Sequence, residues 1–225
     1  MKSNLQCLLF DLDGTLLDTS MDFAYALNQL LMQDQRAPLP YHQIRETVSS
    51  GGLAMTQLAY PDLEGDPLLA KRDEFIALYH ENITRHTQLF ATLDSALTTL
   101  MEKKIPWGIV TNKPTHLTES LLAQLTLPHD PQVLICGDTL PVRKPHPEPL
   151  LLAAEKCGLS PQQCLYLGDH PRDIEAGIQA GMKTGAALFG YLPNDAQFPN
   201  SQQTLQQADF QFHTPYEITQ FIQGL

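Results

Sequence analysis

The feature that most constrains the fold is an apolar run, Leu8 to Phe10, that stops at two closely spaced acids, Asp11 and Asp13. A short apolar run bounded by turn residues is typical of a strand buried on both faces of a parallel sheet. Open α/β sheets bind ligands in the crevice at the carboxyl ends of such strands. Two carboxylates there repel each other, and either a hard cation such as Mg²⁺ or a shared proton would offset that cost. The alternative is a strand that ends in a polar turn without chemistry.

The stretch after this strand is predicted to be helical. Apolar residues at helical spacing predict helices over 20–36, near 40–48 and over 67–85. Between about 19 and 88 no strand pattern occurs, so this block is expected to be a helical insert.

The remainder of the chain alternates apolar strands with helices, which is typical of a parallel doubly wound sheet. The predicted fold class is therefore α/β, with a Rossmann-like core of residues 1–18 and 87–225. A small helical cap of residues 19–86 is inserted after the first strand. The stretch 191–207, rich in Gln, Asn and Pro, is expected to form a surface loop.

Composition excludes several classes of function. The formal net charge of −11 argues against nucleic acid or an anionic membrane as a partner, because either would need a basic patch. No apolar run approaches the roughly eighteen residues of a membrane span, and the first residues lack a signal-peptide core. The four scattered cysteines show no metal-binding spacing and are expected to be buried thiols of a reducing compartment. We therefore expect a cytoplasmic protein.

Two later strands also end in polar residues. Thr111 and Asn112 follow the strand that ends at Val110, and Asp169 follows the strand that ends at Leu167. Because parallel strands place their carboxyl ends at one edge of the sheet, these side chains are expected to lie near the two acids of the first strand. A loop carrying Lys144 can reach the same edge.

This set of residues suits hydrolysis of a phosphate monoester, which needs an in-line nucleophile, neutralised phosphoryl oxygens and a protonated leaving group. Asp11 is the candidate nucleophile, forming an aspartyl-phosphate, and Asp13 the candidate general acid and base. Asp11, Asp13 and Asp169 are the predicted Mg²⁺ ligands, one through a backbone carbonyl, and Asp173 would hold a metal-bound water. The predicted phosphate ligands are Thr111, Asn112 and Lys144.

Each residue also has an interpretation without chemistry. Thr111 and Asn112 can cap the following helix, and Asp169 can be a helix N-cap. Asp173 can be a first-turn acid favoured by the helix dipole, and Lys144 an ordinary surface lysine. These alternatives are independent of one another, and they do not explain why all the residues share one edge.

In this order the residues resemble the haloacid dehalogenase-like superfamily over nearly the whole chain. The matching motifs are DxDGT as Asp11-Leu12-Asp13-Gly14-Thr15, a strand-end Thr as Thr111, a Lys before Pro as Lys144-Pro145, and GDxxxD as Gly168-Asp169 to Asp173. The resemblance implies a Mg²⁺-dependent phosphatase or phosphomutase, because dehalogenases lack an acid at position 13 and transport ATPases carry Thr there. It also implies that the helical block is a type 1 cap that selects the substrate.

Among phosphatases of this superfamily, the chain is similar to those for N-acetylmuramic acid 6-phosphate and for phosphoglycolate. His170 and the stretch Val48 to Gly52 favour the first group, while Ala91-Thr92 departs from the usual Pro-Gly near the cap hinge. His170 can meet substrate or be a structural imidazole. The cap residues expected to contact substrate are Arg45, Ser49, Ser50 and Gly51. Gly51 and Gly52 can equally end a helix.

Two other functions use the same residues. A phosphomutase resembling β-phosphoglucomutase would share the core chemistry, and a non-catalytic partner protein would carry a dead site. The expected cofactor is Mg²⁺, and the expected partner is a small phosphorylated metabolite. The chain is expected to act as a monomer or homodimer.

Overall fold

A computed structural model describes residues 5–193 and 198–225 as an α/β fold. The strands are β1 (Cys7–Phe10), β2 (Leu17–Asp18), β3 (Gln88–Leu89), β4 (Trp107–Val110), β5 (Val133–Ile135), β6 (Cys164–Gly168), β7 (Lys183–Ala187) and β8 (Phe210–Phe212). The helices are α1 (Ser20–Gln33), α2 (Tyr41–Thr47), α3 (Gly52–Ala59), α4 (Gly65–Glu81), α5 (Leu93–Glu102), α6 (Thr115–Gln124), α7 (Glu148–Lys156), α8 (Pro171–Ala180), α9 (Ser201–Leu205) and α10 (Pro215–Gln223). Short 3₁₀ turns cover Val48–Ser50 and Pro161–Gln163.

Six strands form one parallel sheet in the order β5-β4-β1-β6-β7-β8. The side chains of β1 alternate between two hydrophobic clusters, with Leu8 and Phe10 in one and Cys7 and Leu9 in the other. The strand is therefore covered on both faces, which explains its uninterrupted apolar sequence. The chain continues from β1 to β4 on one side and later to β6 on the other, so a crevice opens at the carboxyl end of β1. The predicted fold class is confirmed.

Helices α1 to α4, which we call the helical insertion, lie between the short strands β2 and β3. These two strands pair antiparallel, with Leu17 opposite Leu89. Within the insertion, the ring of Phe23 on α1 stacks on Tyr79 of α4 with centroids 3.8 Å apart. The predicted cap boundaries fall beside the β2–β3 pair, and the division of the chain into core and cap domains stays a prediction.

Some local predictions were wrong. Helix α3 lies in the stretch 49–66, where no helix was expected. It was missed because it is only two turns long and begins at Gly52, directly after Gly51. Helix α9 lies within the expected loop 191–207, of which residues 194–197 are outside the described part of the chain. The helix predicted over 67–85 starts at Gly65 and ends at Glu81.

Thr92 departs from ordinary backbone geometry, with a left-handed φ of 72° immediately before α5. A β-branched residue is unfavourable there. The Thr92 hydroxyl lies 2.9 Å from that of Thr219, which also donates a hydrogen bond to the Thr92 carbonyl.

Every helix in the described ranges is too short or too polar to span a lipid bilayer. The four cysteines are free thiols, three of them buried as expected, and Cys157 is half-buried.

Candidate active site

Asp11 directly follows strand β1 and lies in the crevice, where the Asp11 side chain is almost completely buried. The N–H of Leu12 donates to Asp11 Oδ1 over 2.7 Å, and Lys144 Nζ lies 3.0 Å from the same oxygen. Burial raises the pKa of Asp11 to about 6, although the charge of Lys144 opposes the rise. Asp11 is thus held in place and paired with a cation at the edge of the sheet.

Lys144 is buried and bridges several groups at this edge. Its ammonium donates to the carbonyl of Val110 at 2.9 Å and to the hydroxyl of Tyr166 at 2.6 Å, and it lies 2.7 Å from Asp173 Oδ1. Burial alone would raise the pKa of Asp173, but the charges of Lys144 and Arg172 bring it below its usual value. Lys144 is therefore not a surface lysine, and its contact with Tyr166 was not expected from the sequence.

Three buried carboxylates converge on one point. Asp11, Asp169 and Asp173 each offer an oxygen, and these oxygens lie within 4.8 Å of one another. The pKa of Asp169 is raised to about 7, first by burial and then by the charges of Asp11 and Asp173. A set of hard oxygen donors, in which the pKa values of Asp11 and Asp169 are raised, fits a Mg²⁺ ion. Asp173 was expected to hold a metal-bound water and not to join the metal ligands themselves. The side chain of Asp13 is not part of this group.

The surroundings of Asp169 are close-fitting. The N–H of Tyr191 donates to Asp169 Oδ2 at 2.7 Å, and the hydroxyls of Thr15 and Ser49 lie 3.2 and 3.3 Å from its oxygens. Gly14 has a φ of 85°, and a Cβ there would lie 2.3 Å from Asp169 Oδ2. The glycine of the DxDGT motif is therefore required both by its backbone conformation and by the space that Asp169 occupies.

Asp13 lies outside the group of three carboxylates and is paired with Lys113. Lys113 Nζ lies 3.0 Å from Asp13 Oδ1, and the hydroxyl of Thr19 donates to the same oxygen at 2.7 Å. Lys113 Nζ also donates to the hydroxyl of Tyr79 at 2.8 Å and lies 4.6 Å from the ring centroid of Phe23. Burial lowers the pKa of Lys113, against the opposing effect of Asp13. A core lysine thus contacts both Asp13 and the helical insertion.

These contacts of Lys113 were not expected from the sequence. A basic residue directly after Thr111 and Asn112, at the end of a buried strand, was the available signal.

The predicted phosphate ligands reach the same edge. Thr111 is buried and lines a cavity between the sheet edge and the helical insertion. The side chain of Asn112 instead holds the backbone of Lys144, donating to its carbonyl at 2.9 Å and accepting from its N–H at 3.1 Å. The prediction that Asn112 binds phosphate therefore rests on its backbone N–H.

A cavity of about 770 Å³ lies between the sheet edge and the helical insertion. Its lining includes Asp11, Asp13, Thr111, Asn112 and Lys144 from the sheet edge. The predicted cap residues Ser49, Ser50 and Gly51 line it from the opposite side. The structure thus brings most of the predicted residues to one cavity.

Four of the residues discussed in the sequence analysis lie outside this lining, namely the carboxylates Asp169 and Asp173 described above, the guanidinium of Arg45 and the imidazole of His170. Arg45 donates to the carbonyl of Phe189 at 2.9 Å, and its guanidinium lies 4.9 Å from the ring centroid of Tyr191. Arg45 therefore joins the helical insertion to the core. His170 is buried, and its Nδ1 accepts the N–H of Arg172 at the start of α8. Burial lowers the pKa of His170 to about 3, so the ring is neutral and acts as a helix cap.

The comparisons with known proteins agree with this geometry. A family profile for haloacid dehalogenase-like hydrolases matches residues 8–187. The chain belongs to that family. This haloacid dehalogenase-like hydrolase is 42% identical over 190 residues to a phosphoglycolate phosphatase of Xanthomonas campestris, covering 84% of this chain and 86% of the relative. It is 38% identical over 193 residues to an N-acetylmuramic acid 6-phosphate phosphatase of Pseudomonas putida, covering 85% and 86%.

A solved structure has the same fold. The crystal structure described as that of a predicted phosphoglycolate phosphatase from Haemophilus somnus 129PT superimposes with a TM-score of 0.83. The two chains are 25% identical, and the match covers 99% of each. The helical insertion and the sheet thus superimpose together on another solved structure.

Proposed function

We propose that this hydrolase is a Mg²⁺-dependent phosphatase that acts on a small phosphate monoester through an aspartyl-phosphate on Asp11. The observation that carries the proposal is the placement of Asp11, buried 3.0 Å from Lys144 and within 4.8 Å of the oxygens of two further carboxylates. A carboxylate in this setting has a fixed direction of attack and a cation beside it to stabilise the transferred group.

In the first step, a carboxylate oxygen of Asp11 attacks phosphorus, and the bond from phosphorus to the leaving oxygen breaks. Asp13 donates its proton to that oxygen, so the product leaves as an alcohol. Asp13 then takes a proton from water, whose oxygen attacks the phosphorus of the aspartyl-phosphate. Inorganic phosphate leaves and Asp11 is regenerated. Bound by Asp11, Asp169 and Asp173, with a backbone carbonyl from Asp13, Mg²⁺ would supply positive charge to the phosphoryl oxygens.

Lys144 supplies a second positive charge to the phosphoryl group in this mechanism. Its ammonium contacts Asp11 and Asp173, so it can neutralise phosphoryl oxygens while keeping both carboxylates in place. Thr111 and the N–H of Asn112 are the proposed donors to the remaining oxygens. Lys113 and Thr19 orient Asp13, which must alternate between acid and base.

The helical insertion is proposed to act as the cap, with Ser49, Ser50 and Gly51 meeting the substrate. The first candidate substrate is N-acetylmuramic acid 6-phosphate, supported by the Pseudomonas putida relative and by a cavity of about 770 Å³, ample for an amino sugar. The second is phosphoglycolate, supported by the Xanthomonas campestris relative. We expect the enzyme to act in the cytoplasm as a monomer or homodimer.

The test of the mechanism is the variant Asp11→Asn. We expect it to release no phosphate from p-nitrophenyl phosphate or from either candidate substrate in Mg²⁺, because an amide cannot act as the nucleophile. Asp62→Asn is the matched control, since Asp62 is exposed and pairs with Arg36 on the surface. Circular dichroism should show that both variants are folded. Phosphatase activity of Asp11→Asn equal to that of the wild type would refute the mechanism.

A second measurement separates phosphatase from phosphomutase. Free phosphate released from a monophosphate without any bisphosphate activator would exclude the mutase. A protein that releases none from any ester tested would instead support a non-catalytic role.

A further inference from the structure

The charge of the cavity lining differs from that of the whole chain. Five Lys or Arg side chains and three Asp side chains line the cavity, whereas the chain has 14 Lys and Arg against 25 Asp and Glu. The mechanism above uses Lys113 and Lys144. The remaining cations are three arginines, of which Arg72 already pairs with Asp73 at 2.7 Å.

Arg172 stands out among these arginines. It lies in the first turn of α8, next to Asp173, and its Nη2 donates to the carbonyl of Ser49 in the helical insertion. Its Nε is buried and has no hydrogen-bond partner anywhere in residues 5–193 and 198–225. A buried donor without an acceptor is rare in folded proteins and calls for an explanation. An arginine N–H can only donate, so the missing partner must be an acceptor.

The position of Arg172 relates it to the leaving group. The phosphoryl group must lie beside Asp11, and in-line displacement directs the leaving oxygen away from that carboxylate. Arg172 contacts Ser49, which lines the side of the cavity formed by the helical insertion. Its guanidinium therefore lies where the core meets the surface that receives the rest of the substrate.

The chemistry of a guanidinium indicates which kind of acceptor would pair with Arg172. Its planar fork of donors matches a carboxylate better than a lone hydroxyl, and it carries its charge at any working pH. N-acetylmuramic acid 6-phosphate and phosphoglycolate, the compounds named for the two relatives, differ in size but both carry a carboxylate. A carboxylate subsite is thus a feature that either substrate would use.

We propose that Arg172 binds a carboxylate of the leaving group, so that the enzyme selects phosphate monoesters that carry a second, carboxylic acid function. This assignment rests on the proposed phosphatase function. Arg172 is then a specificity-determining residue. Because Arg172 also donates to the Ser49 carbonyl, the residue that binds the carboxylate also contacts the helical insertion.

The experiment compares two pairs of esters, each with and without the carboxylate. N-acetylglucosamine 6-phosphate is N-acetylmuramic acid 6-phosphate without its lactyl group, and ethyl phosphate is phosphoglycolate with a methyl group in place of the carboxylate. For each pair, kcat/KM for phosphate release is measured in Mg²⁺ with the wild type, Arg172→Gln and Arg72→Gln. Arg72 is the matched control, because its guanidinium also lines the cavity but is already paired.

We expect Arg172→Gln to lower the ratio of kcat/KM for the acid to that for its neutral partner by about tenfold to a hundredfold. Arg72→Gln should leave this ratio unchanged. Equal losses on both esters in Arg172→Gln would overturn the assignment, since Arg172 would then only join the insertion to the core. A wild-type protein that hydrolyses neither these esters nor p-nitrophenyl phosphate would instead overturn the proposed function, and the assignment with it.

Discussion

Neutralising Asp169 should stabilise the metal-free protein at alkaline pH. Its carboxylate is fully buried beside Asp11 and Asp173, and its pKa is raised from 3.8 to about 7. Because this folded-state pKa lies above the unfolded one, the folded protein binds the proton more tightly. Ionisation of Asp169 therefore costs nothing below about pH 4, and its cost is fully present above about pH 7.

The size of the effect follows from the shift. About three pKa units at 1.36 kcal/mol each give about 4 kcal/mol for the ionised form. The variant Asp169→Asn removes the charge but leaves a buried amide whose donors must be satisfied, which takes back about half of this gain. A net gain of about 2 kcal/mol corresponds to a rise in Tm of about 4–8 °C for a chain of this size.

The assay is thermal unfolding in EDTA at pH 5 and pH 8, repeated in Mg²⁺. Asp169→Asn should exceed the wild type in Tm at pH 8 and much less at pH 5, and only the wild type should gain strongly from Mg²⁺. Asp209→Asn is a control of opposite sign, because contacts with Lys183 and Thr184 lower the pKa of Asp209 in spite of its partial burial. That variant should lose stability at pH 8. A Tm difference between wild type and Asp169→Asn that does not depend on pH would refute the reasoning.

Two further substitutions test the contacts around the site. Lys113→Met keeps the apolar stem but removes the charge that orients Asp13, so kcat should fall more than about tenfold while circular dichroism shows an intact fold. An unchanged kcat would contradict the role given to Lys113. Thr92→Gly relieves left-handed strain of about 1–3 kcal/mol and loses one hydrogen bond to Thr219 worth about 1 kcal/mol. Its Tm should rise by a few degrees, and a fall would show that the hydrogen bond outweighs the strain.

The parts of the fold that sequence predicts well are those encoded locally. The run from Leu8 to Phe10 identifies β1 because a strand covered on both faces needs consecutive apolar residues. The convergence of Thr111, Lys144 and Asp169 follows from a general property of parallel sheets, and the structure brings them to one edge beside Asp11. Helix α3 escapes the same reasoning, since two turns beside paired glycines give too short a pattern.

The unpredicted parts of the site depend on contacts between distant segments. Lys113 meets Asp13, 100 residues away, and Tyr166 meets Lys144 across neighbouring elements. Sequence spacing carries no information on which nearby side chain a flexible lysine selects. Arg172 was missed for a related reason, because its significance lies in the hydrogen bond that its buried Nε lacks in the described residues, and only three-dimensional coordinates reveal that.

The contacts that enclose the Lys113 side chain have a consequence for protein engineering. Its ammonium belongs to the core chain, yet it is enclosed by Tyr79 and Phe23 of the insertion. In a chimera whose insertion comes from another enzyme, the buried Lys113 ammonium would lose these contacts unless the new insertion also carried Phe23 and Tyr79. Because Ser49–Gly51 is proposed to meet the substrate, we expect that specificity can be changed by exchanging this loop while the stacked rings are kept, and that libraries built in this way retain turnover.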